Sequence, residues 1–249
     1  ISTGFGKILQ NVGSIRNMGF EFAANTNWIK RKNISWNTNF NISFNRNKII
    51  KLNGDQKELF SQAKYPGLNE NNYISELYGP AGQIYGFQYD RIYQMDDFYF
   101  DSLADSYILK EGISRNLTTV VPGSIKYKDQ NGDGVITQDD RVIIGNPLPT
   151  HRGGILNKVK WKSFDFSVFM QWSYGGDLLN ATRAKFSTPI RSNQNGLSDI
   201  ADAWTPSNTN TDVNTVKINN IFGYPQVGYQ IDSRYVEDGS YIRLKSITI

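Results

Sequence analysis

The sequence predicts an all-β protein: an antiparallel transmembrane β-barrel segment with long extracellular loops. Three observations lead there. Long stretches alternate apolar and amide side chains with a period of two, they outrun ordinary soluble strands of about 5 or 6 residues, and short turns alternate with very long connections.

The first element carries Phe20, Phe22, Ala24, Thr26 and Trp28 against Glu21, Asn25 and Asn27. The second places Ile34, Trp36, Phe40, Ile42 and Phe44 on even positions, Thr38 excepted, against Asn37, Asn39, Asn41, Ser43 and Asn45. A period of two makes one strand face greasy and the other amide-lined. The third is weaker, with Ile155, Asn157, Val159 and Trp161. The fourth sets Phe164, Phe166, Val168, Met170, Trp172 and Tyr174 against Asp165, Ser167, Gln171 and Ser173, with Phe169 breaking the polar row. Lys162 and Ser163 join the last two as a hairpin. A final segment runs from Tyr235 to Ile249.

Roughly a hundred residues separate Asn45 from Arg152, and about sixty separate Tyr174 from Tyr235, far beyond ordinary loop lengths. Outer-membrane barrels combine short periplasmic turns with long extracellular loops, so the long segments are expected to face outward. Gly82 to Gln94, with Tyr85, Phe87, Tyr89 and Tyr93 at odd positions, is a place for added strands. Antiparallel parity then demands an even number of extra crossings. Trp28, Trp36 and Trp161 lie near the short turns at Lys30 to Asn33 and Lys162 to Ser163, with Trp172 and Tyr174 at the far end, as two aromatic girdles would be placed.

Composition narrows the function classes. With 39% apolar and 13% aromatic residues the chain is too apolar for disorder, and its Asn-rich, helix-poor character favours strands and loops. There is no run of about 20 apolar residues for a spanning helix and no basic start with an apolar run at the first residues, although a signal could lie outside a chain that begins mid-pattern. No Cys is present, which excludes disulfides, thiolate chemistry and Cys-ligated zinc; one His, His151, makes a histidine-rich metal site or a Ser-His-Asp triad hard to assemble. His151 reads as a loop or strand-edge residue. The 27 Lys and Arg against 23 Asp and Glu are scattered, and the densest cluster, Lys30-Arg31-Lys32, reads as a solvated turn rather than a nucleic-acid footprint. No Asp or Glu spacing nominates the paired carboxylates of a glycosidase, so no enzyme is expected.

The stretch 129–140 matches a twelve-residue calcium loop, with Gly134 at its sharp turn. The expected ligands are Asp129, Asn131 and Asp133, the Val135 carbonyl, Thr137 or a water, and Asp140. Asp140 stands where a bidentate Glu is usual, a shorter arm similar to dockerin-type loops. The flanks show no amphipathic helix pair, so the expectation is a structural Ca2+ clip in an exposed loop, against an empty Asn/Gly/Asp turn.

Asn11-Val12-Gly13-Ser14-Ile15-Arg16-Asn17-Met18-Gly19-Phe20-Glu21 is similar to a barrel strand of SusC/RagA-like TonB-dependent transporters. Ile84 to Asp90, Gly123 to Asp129 running into the calcium-type loop, Ile144 to Pro149, Phe164 to Tyr174, Trp204-Thr205-Pro206 and Val236 to Thr248 follow in the family's order. The resemblance implies one partial barrel domain over 1–249, the late part of a barrel, with no TonB box, plug domain or terminal aromatic-ended strand in view. It also implies an importer of glycan oligosaccharides or peptides in the outer membrane of Bacteroidetes-type bacteria. Its partners would be TonB, a SusD-like surface lipoprotein and outer-membrane lipid. In that setting the loop aromatics Tyr73, Tyr78, Phe98, Tyr99, Phe100 and Trp204 either meet substrate or lid, or pack against one another. The competing expectation is a soluble, calcium-stabilised β-sandwich that binds carbohydrate; it requires Phe40, Phe44, Phe166 and Met170 to lie between two stacked sheets.

Overall fold

The computed structural model describes residues 11–62, 70–116, 120–187, 195–214 and 230–249. Five strands form one sheet in sequence order: β1 (Gly13–Arg31), β2 (Ile34–Leu52), β3 (His151–Trp161), β4 (Phe164–Tyr174) and β5 (Tyr241–Thr248). Each pairs antiparallel with the next. The fold is antiparallel β almost throughout, with a single short α-helix, Ala181–Phe186, among the described residues. Among the described residues β1 and β5 keep free edges, so these five strands are an open sheet; the smallest outer-membrane barrels need about eight strands to close.

Two-residue turns, Lys32-Asn33 and Lys162-Ser163, close the hairpins β1–β2 and β3–β4. Lys162 accepts a left-handed φ of 53°, and its N–H donates to the Asn33 carbonyl at 2.8 Å. Both turns therefore lie side by side at one end. The connections β2 to β3 and β4 to β5 leave from the other end, the asymmetry expected of periplasmic turns and outward loops.

β2 pairs directly with β3, from Ser43↔Arg152 to Ile34↔Trp161, so the long connection adds no crossing and parity is kept. The Gly82 to Gln94 segment does form strands, Gln83–Phe87 and Tyr89–Ile92, yet they belong to small sheets within the loop layer. Gln83–Phe87 sits between Tyr73–Glu76 and Arg141–Gly145, and Tyr89–Ile92 pairs with Ile125–Tyr127. Their aromatics have loop neighbours to bury against: Phe87 stacks on Tyr127 with ring centroids 4.7 Å apart, and Tyr93 is fully buried beside Phe98.

Most of the hydrophobic core is thus in the loop layer, with Ile49 and Leu52 at the loop end of β2 joining it. Ile84, Ile92, Tyr93 and Ile231 are buried there, whereas Phe20, Phe22, Trp161, Phe164 and Ile242 on the sheet are exposed. The apolar side of the sheet therefore has little protein packed over it, the pattern expected of a sheet that faces hydrocarbon.

Candidate functional site

Residues directly opposite in an antiparallel pair share a face. Register places Phe22, Ile42, Gly153, Trp172 and Ile242 on one row, and Ala24, Phe40, Ile155, Met170 and Leu244 on the next. Among the described residues no second sheet stacks on this apolar face: Phe44, Phe166 and Met170 stay 37–40% exposed. The ring partners of Phe40 are its face-mates Phe22 and Trp172, at centroid separations of 6.3 and 5.7 Å. Among the described residues these side chains do not lie between two stacked sheets.

Both interruptions of the alternation have partners. Thr38 and Asn157 oppose each other on the oily face; Thr38 Oγ1 donates to Asn157 Oδ1 at 2.6 Å, while the Trp28 and Trp36 indoles donate to Thr38 Oγ1 and Asn157 Oδ1. A bulge between Asn27 and Ile29 brings Trp28 within 6.1 Å of Trp36. Phe169, on the polar face, lies opposite Leu156. Apolar-face polarity and polar-face grease are each paired across strands.

The amide face is a hydrogen-bonded net. Asn37 Nδ2 donates to Asn25 Oδ1 at 2.6 Å and to Asn27 Oδ1 at 3.1 Å, and Asn39 donates to Asn37 Oδ1 at 2.8 Å. At the loop end of the oily face the Trp172 ring covers Gly153, where a Cβ would meet the indole at 2.1 Å, and donates to His151 Nδ1. His151 stacks on Tyr174 and borders Phe44. The lone histidine is a strand-end ring within a cluster of Phe44, Trp172 and Tyr174.

In the 129–140 loop, Gly132 and Gly134 take left-handed φ values of 75° and 83°, and the carboxylates accept the loop's own amides. Asp129 receives N–H groups from Gly132 and Gly134 and the Ser114 hydroxyl. Against a desolvation that alone raises its pKa, these bonds hold the Asp129 carboxyl below its ordinary range. Asp133 accepts from Val135 N–H and Asn131 Nδ2. Asp140 is fully buried: one oxygen accepts from Gln130 N–H, the other from Thr137 N–H. So Asp129, Asn131 and Asp133 share the exposed half of the loop, and Asp140 is turned to amides. Among the described residues no group of three or more His, Asp or Glu converges as a metal-holding cluster.

The loop aromatics divide. Phe98 and Trp204 are buried, and the Trp204 indole donates to Gln94 Oε1 at 2.9 Å. Tyr78, Tyr99 and Phe100 are more than half exposed, the last two on the hairpin Phe98–Asp101/Ser106–Leu109.

Two buried cations are the residues that sequence reading missed. Arg234 grips the fully buried Asp232 through Nε and Nη2 at 3.0 and 2.7 Å, its guanidinium 4.7 Å from the Tyr89 ring centre. Burial works against that charge, but the Asp232 hydrogen bond and attraction override it and raise its pKa. Arg141 lies 4.7 Å over Tyr85 and donates to the Asn71 and Tyr85 carbonyls. Asp232 is only two residues from Arg234, but Tyr89 and the Asn71 and Tyr85 carbonyls are remote in sequence, so no local motif announces these packed sites; charged residues flanking aromatics in a long, Tyr-rich connection are the one available cue.

No family model matches the chain. It is 34% identical over 248 residues to TonB-dependent receptor P3 of Formosa agariphila, covering 99% of this chain and 22% of that protein. To TonB-dependent receptor SusC of Bacteroides thetaiotaomicron it is 24% identical over 250 residues, covering 98% and 21%. The RagAB peptide transporter structure superposes with a TM-score of 0.70 at 20% identity, over 98% of this chain and 23% of that one. The chain therefore spans between a fifth and a quarter of the length of these relatives, and their names are those of receptors and transporters.

Proposed function

Over nearly its whole length the chain is homologous to SusC-type TonB-dependent receptors, and on that premise we propose that it forms part of the wall of an outer-membrane nutrient importer. One observation carries the reading: a long-stranded antiparallel sheet exposes Phe, Trp, Met and Ile on one face and a bonded Asn net on the other. Only surroundings that are hydrocarbon on one side and wet on the other satisfy both faces. The domain 1–249 is then one arc of a barrel closed by further strands at the β1 and β5 edges. The hairpin turns face the periplasm and the packed loop layer faces outward.

The importer would be energised through TonB and lidded by a SusD-like lipoprotein. Its substrates would be glycan oligosaccharides or peptides; the peptide-transporter name of RagAB supports the second. Exposed Tyr78, Tyr99 and Phe100 are the loop groups offered to substrate or lid, whereas Phe98 and Trp204 serve the loop core. The full-length protein, folded in vesicles, should run as a compact heat-modifiable barrel and support TonB-dependent uptake. A chain that stays monomeric in plain buffer with Trp36 shielded from quenchers overturns the reading.

The calcium clip stands as a separate part of this proposal. Asp129, Asn131 and Asp133 offer oxygens with lone pairs left over, beside the Val135 carbonyl and Thr137, and a bound ion would cross-link the loop. Asp140, whose oxygens already accept three amides, stands at the closing position with a shorter arm than the usual Glu. Such a set suits a weak site.

A further inference from the structure

The basic turn Lys30-Arg31-Lys32 acquires a partner that its sequence does not announce. The second hairpin turn docks beside it through the Lys162 N–H to Asn33 carbonyl bond of 2.8 Å, so cations from two hairpins gather at one rim. All four of these side chains are exposed. Among the described residues of the two hairpins the acid at that rim is Asp165, already facing Lys160 at 3.5 Å.

Arg31 belongs to the last row of the oily face, with Ile34, Trp161 and Phe164. Lys162 Nζ lies 5.5 Å over the Trp161 ring, and Trp161 and Phe164 stack with centroids 6.4 Å apart. Positive charge thus stands directly beyond exposed aromatic surface. A partner must be anionic and greasy at the same place, which an acidic soluble protein or a nucleic acid is not.

We propose that Arg31, Lys32 and Lys162 bind the phosphate headgroup of an anionic phospholipid whose acyl chains lie along Trp161 and Phe164. The proposal rests on the membrane-spanning reading above, which puts this rim at the inner leaflet. Basic clusters at a membrane surface draw anionic lipid by roughly fivefold per charge, and the attraction falls within a Debye length of about 8 to 10 Å. A zwitterionic lipid lacks the net charge to be retained this way.

The test uses the full-length protein in nanodiscs of phosphatidylcholine doped with phosphatidylglycerol, with retained lipid counted by native mass spectrometry. Wild type should retain phosphatidylglycerol preferentially. Arg31→Gln, Lys32→Gln and Lys162→Asn should each weaken retention about fivefold, and the triple variant on the order of a hundredfold, with the differences shrinking at high salt. Asn tolerates the left-handed turn at 162. Equal retention of both lipids, an indifferent triple variant, or full displacement by millimolar inorganic phosphate would overturn the proposal. Failure of the underlying reading looks different: wild type itself would not yield a heat-modifiable barrel.

Discussion

Thr38 and Asn157, one on β2 and one on β3, share a 2.6 Å hydrogen bond in the middle of the apolar face, with Trp28 and Trp36 donating to the same two side chains. Four polar groups on an apolar face satisfy one another. A Thr38→Val, Asn157→Leu double-mutant cycle is expected to give a coupling of about 0.5 to 1.5 kcal/mol, measured by urea titration of the barrel in vesicles. Additive single mutants would mean that the bond is not made.

Face and depth should both control tolerance of charge. Phe40 shares a row with Ile155 and Met170 near mid-strand, so Phe40→Arg should cost about 2 to 4 kcal/mol; Phe166, closer to the turns, should cost less. Asn39→Arg, on the amide face, should be tolerated. The comparison is made by folding each variant into lipid vesicles.

The buried pair Asp232–Arg234 should hold the loop layer. Asp232→Ala leaves a guanidinium without its carboxylate at a site where Asp232 is fully enclosed, at an expected cost of about 3 to 5 kcal/mol. Limited proteolysis should then cut the loop layer while the sheet survives.

Acid should loosen the same layer. Asp97 is desolvated, yet the Arg91 hydrogen bond and the Gln94 amide more than compensate, so its pKa is lowered, as is that of Asp129. A lowered folded pKa means that the stabilisation is complete above the unfolded value near 3.9 and is lost as pH falls through the folded one. Trp204 is joined to Gln94 beside Asp97, and its fluorescence should report the transition. Asp97→Asn should flatten the pH dependence.

Calorimetry on the folded protein should show calcium binding with a dissociation constant on the order of 10⁻⁴ to 10⁻³ M, removed by Asp129→Asn. No heat at millimolar calcium removes the clip.

The long antiparallel strands were legible because their cause is local. An apolar medium on one side and water on the other would impose a period of two on consecutive residues, and Phe40 against Asn39 displays it without knowledge of any neighbour. Turn lengths are equally local, so the gathering of both tight turns at one end of the sheet could be read as well. Within the calcium-type loop, spacing marked Asp129, Asn131 and Asp133 as a group but not the inward turn of Asp140 to three backbone amides, because a carboxylate's competing donors are set by how the loop closes.

Tertiary structure alone decided the rest. It settled that Gly82 to Gln94 folds within the loop layer instead of crossing, and that Thr38 meets Asn157. Arg234 finds Tyr89, and Lys162 joins the basic turn, by the same route. Each depends on residues brought together from distant parts of the chain, where pairing energy depends on register and burial. A periodic pattern records which medium a side chain faces; it does not record which side chain stands opposite.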